Sequence, residues 1–154
     1  MPTLEGGLRI DAEDRSDWEL LRAIIADANS CHTDLASRLG GLMSVEAGAE
    51  DWQELVVPDL REGFQDELAE IGALIESAMY QADNGPGPIW ITRKDAYPWY
   101  SALNQARLAL EEIYHFGPEQ TIDLEVMSPV KQAAFIRSDF YSEIQSHLLR
   151  HVLR

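Results

Sequence analysis

The chain is poor in cysteine, in basic residues and in long apolar runs. Cys31 is the single cysteine among 154 residues, so an internal disulfide is impossible and a reducing cytoplasm is the expected compartment. No window approaches 18 consecutive apolar residues, which excludes a membrane span by sequence. The opening MPTLEGGLRIDAEDR has no basic stretch followed by an apolar one, so no secretory signal is read there. Bases number 12 against 27 acids, a net charge of −15. Such a surface repels phosphate backbones, because nucleic-acid affinity rests on Lys and Arg neutralising phosphates. The acids are uneven: residues 1–76 hold 18 acids and 5 bases, residues 77–154 hold 9 acids and 7 bases. Only the C-terminal stretch with Lys131, Arg137, Arg150 and Arg154 is mildly basic, and a DNA-binding regulator would have to use it.

Several chemical signatures are missing as well. There is no Gly-x-Ser-x-Gly, and Gly40-Gly41 lacks the Gly-Lys-Ser/Thr ending of a phosphate loop. Cys31 has no neighbouring base to activate it, while Asp27 and Asp34 would raise its pKa. Glu112-x-x-His115 has the spacing of a di-iron ligand pair, but no second Glu-x-x-His exists, and Glu111 and His115 fall opposite the apolar stripe of their helix. His32, if its helix continues, lies on a core stripe and reads as a hydrogen-bonded histidine.

What is present is ordinary globular composition, 45% hydrophobic and 25% charged, and enough length for one domain over residues 1–154. Short extended pieces lead into helices. Gly7–Ile10 alternates, with Leu8 and Ile10 inward. Asp11 reads as a helix N-cap with Asp14 supporting it. Trp18, Leu21, Ile25, Ala28, His32, Leu35 and Leu39 then recur at helical steps, as far as about Arg38 or with a break near Asn29–Thr33. Ser44–Glu50 reads as loop. A second helical pattern runs from Trp52 and Leu55 through Leu60, Phe64, Leu68, Ile71, Ile75 and Met79, restarting at Pro58. Asn84-Gly85-Pro86-Gly87-Pro88 is a turn. Ile89–Arg93 is a second strand, and Thr92 with Asp95 can cap the next helix. That helix carries Trp99, Leu103, Ala106, Leu110 and Ile113, and Gly117 is placed to end it. Ser128-Pro129 opens the last helix, striped by Ile136, Phe140, Ile144 and Leu148.

Leu8-x-Ile10-Asp11-x-x-Asp14-x-x-x-Trp18 matches Ile89-x-Ile91-Thr92-x-x-Asp95-x-x-x-Trp99 at a constant offset of 81. The match predicts two strands that pair, each followed by a helix whose Trp packs beneath the sheet. The fold class is therefore mainly α: a bundle of about four main helices with a small two-stranded β-sheet, which the helices must support because a lone ribbon is marginal.

Trp99-x-x-x-Leu103-Asn104-x-x-Arg107-Leu108-x-Leu110 after the strand Ile89–Arg93, with Asp59-Leu60-Arg61-Glu62, Tyr141-x-x-Ile144-Gln145-x-x-Leu148 and the opening Leu8–Glu13, resembles an uncharacterised, actinobacteria-rich bacterial family, the domain-of-unknown-function family numbered two thousand and seventeen. These are packing and capping motifs, and the family has no established catalytic residues to carry over. Its genes often lie near that of the ClpS adaptor of the Clp protease, so the resemblance implies a link to regulation or proteolysis by association. The 40–50 loop is shorter here than in typical members.

Two surfaces remain as candidate sites. Trp90, Tyr97, Trp99 and Tyr100 cluster beside the Asn84–Pro88 turn. Trp90 alternates with inward Ile89 and Ile91, so Trp90, Tyr97 and Tyr100 form a candidate partner surface, while Trp99 reads as core. Glu143, His147 and His151, four residues apart on the last helix, could hold a metal ion or could be interfacial and helix-end residues. No cofactor is expected. The leading expectation is a non-enzymatic interaction or regulatory protein with a basic or apolar protein partner, or a second copy of itself. A DNA-binding regulator and a metal-binding helical protein are the alternatives.

Overall fold

The computed structural model describes residues 6–30, 57–116 and 128–153. Their order is β1 (Leu8–Ala12), α1 (Arg15–Ala28), α2 (Val57–Gln81), β2 (Gly87–Ile91), α3 (Ala96–Tyr114) and α4 (Pro129–His151). The described elements thus follow the order strand–helix–helix twice. The two strands pair antiparallel, with Leu8 opposite Ile91, Arg9 opposite Trp90 and Ile10 opposite Ile89.

The repeat is visible in this register. Arg9 and Trp90 differ by 81 and face each other, so the ladder has an approximate twofold about that pair. The same offset relates the helix starts, Arg15 and Ala96, the cap positions, Asp14 and Asp95, and the buried tryptophans, Trp18 and Trp99. Even Gly6, just before β1, and Gly87, the first residue of β2, correspond. Gly6 takes φ +85°, and a Cβ on Gly87 would lie 2.7 Å from the Ala82 Cβ. Either place therefore resists a side chain.

The core forms where the repeats meet. Leu8, Ile89, Ile91, Trp18, Trp99, Leu21, Ile24, Leu103 and Leu110 are buried together with Ile71 and Ile75 of α2 and Tyr141 and Leu148 of α4. Full burial of one such side chain is worth about 1.5–3 kcal/mol. Trp18 donates its indole N–H to the Gly85 carbonyl at 2.8 Å, which fastens α1 to the turn before β2. The Trp99 indole N–H is buried without a partner.

Several sequence expectations need adjustment. Asp11 belongs to β1 and does not cap a helix. The cap is Asp14, whose carboxylate accepts the Asp17 N–H at 3.2 Å, because β1 continues to Ala12. Thr92 does not cap α3, whose N-cap is Asp95 without a side-chain cap bond; the Thr92 hydroxyl instead accepts the Asp95 N–H and donates to the Asp95 carboxylate at 2.9 Å, closing the turn before the helix. Helix α1 stops at Ala28, so the break near Asn29 is the correct alternative, and Asn29 Nδ2 turns back to the Ile25 carbonyl. Helix α3 ends at Tyr114, where His115 takes the left-handed conformation (φ 50°) that the sequence had assigned to Gly117. Ile113 and Ile136 are exposed, not core. On α4 the buried stripe is rotated to Ala134, Tyr141, Ile144, Gln145 and Leu148. Ser128 caps α4 as read, accepting the Lys131 N–H at 3.2 Å. Cys31, His32, the Ser44–Glu50 loop, Trp52, Leu55 and Gly117 lie outside the described residues.

Candidate interaction surface

The outer face of the sheet is set by alternation. Inward Ile89 and Ile91 leave Pro88 and Trp90 outward, and the ladder places Arg9 and Asp11 beside them. Trp90 is 53% exposed, a large aromatic surface left in water at the middle of a strand. The Arg9 guanidinium lies 5.6 Å from its ring centroid and also contacts Asp11 at 3.1 Å. Arg9 therefore covers part of one indole face as a cation–π contact, worth about 0.5–1 kcal/mol at an exposed site.

Trp90 stands at the rim of a groove of about 530 Å³. One wall is the C-terminal half of α2, through Leu74, Ala78 and Ala82. The other is β2, from Pro86 to Thr92. Ile89 and Trp90 point to opposite faces, yet both line the groove, and no β1 residue does. The groove therefore runs along the edge of β2 that faces away from β1. Among the described residues, Asp95 is the only charged one in its lining. An adjoining cleft around Pro86–Pro88 is lined by Asp11 and Glu13 and by no base.

The other aromatic candidates part company here. Tyr97 is 72% exposed in the first turn of α3 but does not line the groove. Tyr100 is half-buried against the core, and its carbonyl accepts Gln145 Nε2. Tyr80 is the most exposed aromatic at 86%, at the end of α2. Its helical stripe neighbours gave no signal for it, because a tyrosine one step off an apolar stripe reads as marginally buried.

The metal candidates do not converge. The rings of His147 and His151 stack with centroids 5.9 Å apart, and Glu143 is exposed. Among the described residues no group of three or more His, Cys, Asp or Glu side chains could hold a metal ion.

One buried polar cluster was missed by sequence reasoning. Asp27 of α1 is nine-tenths buried and receives three hydrogen bonds from α4: Arg137 Nε at 2.8 Å, Arg137 Nη2 at 3.1 Å and the Tyr141 hydroxyl at 2.6 Å. Its hydrogen bond to Asp27 raises the pKa of Arg137, and burial pushes the Tyr141 phenol well above its ordinary value. The signal was there in outline. Trp18, Leu21 and Ile24 step by three, and the next step is Asp27, an acid on a buried stripe that demands a donor set. The three groups are bound to one another, and the cluster joins the first helix to the last.

No helix among the described residues is long and apolar enough to cross a membrane. No curated protein and no solved structure matches the chain. The family model described as Domain of unknown function (DUF2017) matches residues 35–152, from beyond α1 through α4, which leaves the opening Leu8–Glu13 segment outside the match. With most of its length matched in this way, the chain belongs to the DUF2017 family.

Proposed function

We propose that this DUF2017 protein is a non-enzymatic, cytoplasmic interaction or regulatory protein that binds a basic or apolar protein partner through the Trp90 face. The single observation behind this reading is Trp90 itself. A strand-centred indole more than half exposed at the rim of a groove contributes little to the core, and aromatic side chains of this kind dominate binding energy where partners meet. The acidic charge favours a basic partner and speeds its encounter. A phosphate backbone is a poorer fit, because the one base on the outer sheet face, Arg9, is engaged by Asp11 and Trp90. A second copy of the chain would bring two charges of −15 together.

A photo-crosslinking amino acid placed at Trp90, and separately at Glu62 on the far end of α2, tests this in cells that make the protein. The expected result is one discrete protein adduct from position 90 and none from position 62. Absence of any adduct at 90, or the same adducts from both positions, contradicts the reading.

A further inference from the structure

The groove has a property that an ordinary apolar depression lacks: a strand edge with no neighbour among the described residues runs along it. Among the described residues the sheet holds only β1 and β2, so β2 has one neighbour among them. Proline in a strand sits where its missing N–H faces away from that neighbour. Pro88 lies opposite Asp11 in the ladder, so the backbone groups of residues 87, 89 and 91 turn toward β1 and those of 88 and 90 turn toward the groove. The edge therefore presents the Pro88 carbonyl and both the N–H and the carbonyl of Trp90. The strand covers Gly87–Ile91, about 16 Å at roughly 3.3 Å per residue.

Resting on the reading of the Trp90 face as a binding surface, we infer that its occupant is an extended basic segment of a partner protein, added as a third strand to the open edge of β2. Three features select this occupant. The opposite wall, formed by Leu74, Ala78 and Ala82, is apolar and takes small apolar side chains from one face of the incoming segment. The other face of that segment passes beside Trp90, whose indole already stacks with a guanidinium on one side. The charged residues lining the groove and its adjoining cleft, Asp95, Asp11 and Glu13, are all acids. Alternation along a strand then specifies the ligand pattern: apolar residues toward α2, Lys or Arg toward Trp90. A single N–H donor flanked by Pro88 makes the edge short, which limits open-ended pairing between copies of the chain.

The test uses the purified full-length protein and random twelve-residue peptides displayed on phage. Enriched peptides are resynthesised, and each backbone amide is N-methylated in turn. The expected result is net-positive peptides with alternating apolar positions. N-methylation should then weaken binding at least tenfold at every second residue of the core segment and hardly at all between. Trp90→Ala should weaken binding at least tenfold, and the double variant D11N/E13Q should lower affinity and flatten its salt dependence. Enrichment of acidic or neutral peptides overturns the inference, as does a failure of any peptide to bind. N-methylation without a period of two, with Trp90→Ala still damaging, overturns strand addition while leaving the Trp90 face as a binding surface. Loss of the crosslink at position 90 would instead remove that surface altogether.

Discussion

The β1–α1 unit and the β2–α3 unit share one sequence pattern, and their differences are more informative than their likeness. Where they agree, the residues are buried: Leu8 with Ile89, Trp18 with Trp99. Where they differ, the chain has acquired something local. The outward residue at the centre of the strand is Arg9 in the first unit and Trp90 in the second, and the two stack on each other. The third step of the helix stripe after Trp is Asp27 in the first unit and Leu108 in the second, and only the acid recruits Arg137 and Tyr141 from α4. β2 follows directly on the long helix α2 through a tight turn, and a groove lies between that helix and the strand. The repeated framework is a scaffold, and the unequal positions carry whatever is particular to this protein.

The largest expected effects sharpen this comparison inside the core. Trp18→Ala and Trp99→Ala should each cost about 3–5 kcal/mol in urea unfolding. The phenylalanine variants should separate. Trp18→Phe strips the Gly85 carbonyl of its donor and should cost about 1–2 kcal/mol more than Trp99→Phe, which removes an N–H that has no partner. Equal costs would show that the two tryptophans are equivalent after all.

Next comes the buried acid. Asp27→Ala leaves Arg137 and Tyr141 facing a void and should cost about 3 kcal/mol, the low end for a broken buried pair because Arg137 stays partly exposed. The unequal stripe predicts that Leu108→Ala behaves as a simple apolar truncation with no change in pH dependence.

The Tyr141 phenol adds a pH signature. Its pKa is raised in the folded protein above the ordinary value of 10.0, mainly by burial. Above that pH the unfolded chain loses the proton while the folded chain keeps it, so stability present below pH 10 declines as pH rises. The slope should be about 1.4 kcal/mol per pH unit. Thermal melts from pH 9 to 11 should show this slope in the native protein and a shallower one in Tyr141→Phe.

Gly87→Ala places a Cβ 2.7 Å from that of Ala82 and should cost about 1–3 kcal/mol, whereas Gly63→Ala meets nothing within 4 Å and should be neutral or slightly stabilising.

The strand pair, its repeat and the burial of both tryptophans were legible in the sequence, because alternation, capping residues and turn glycines are local and agree with one another. Trp90 could be placed outward by the same alternation. The place of Asp27 on the Trp18–Leu21–Ile24 step was legible, but its donors were not, since Arg137 lies 110 positions away. The groove was not legible either. It depends on where α2 lies relative to the edge of β2, a tertiary fact that no local pattern encodes. On α4 the expected Ile144 and Leu148 are buried, but Ile136 and Phe140 drew the rest of the stripe toward the bulkiest residues. Tyr141 and Gln145, anchored by hydrogen bonds, are the ones that turn inward.

The account rests on Trp90 serving binding and not folding. The most direct measurement sets thermal stability and affinity side by side for Trp90→Ala, using the partner crosslinked at position 90. The expected result is a stability change within about 1 kcal/mol, the scale of the lost contact with Arg9, together with at least a tenfold loss of affinity. Unchanged affinity, or a loss of stability on the scale of Trp18→Ala, would contradict it.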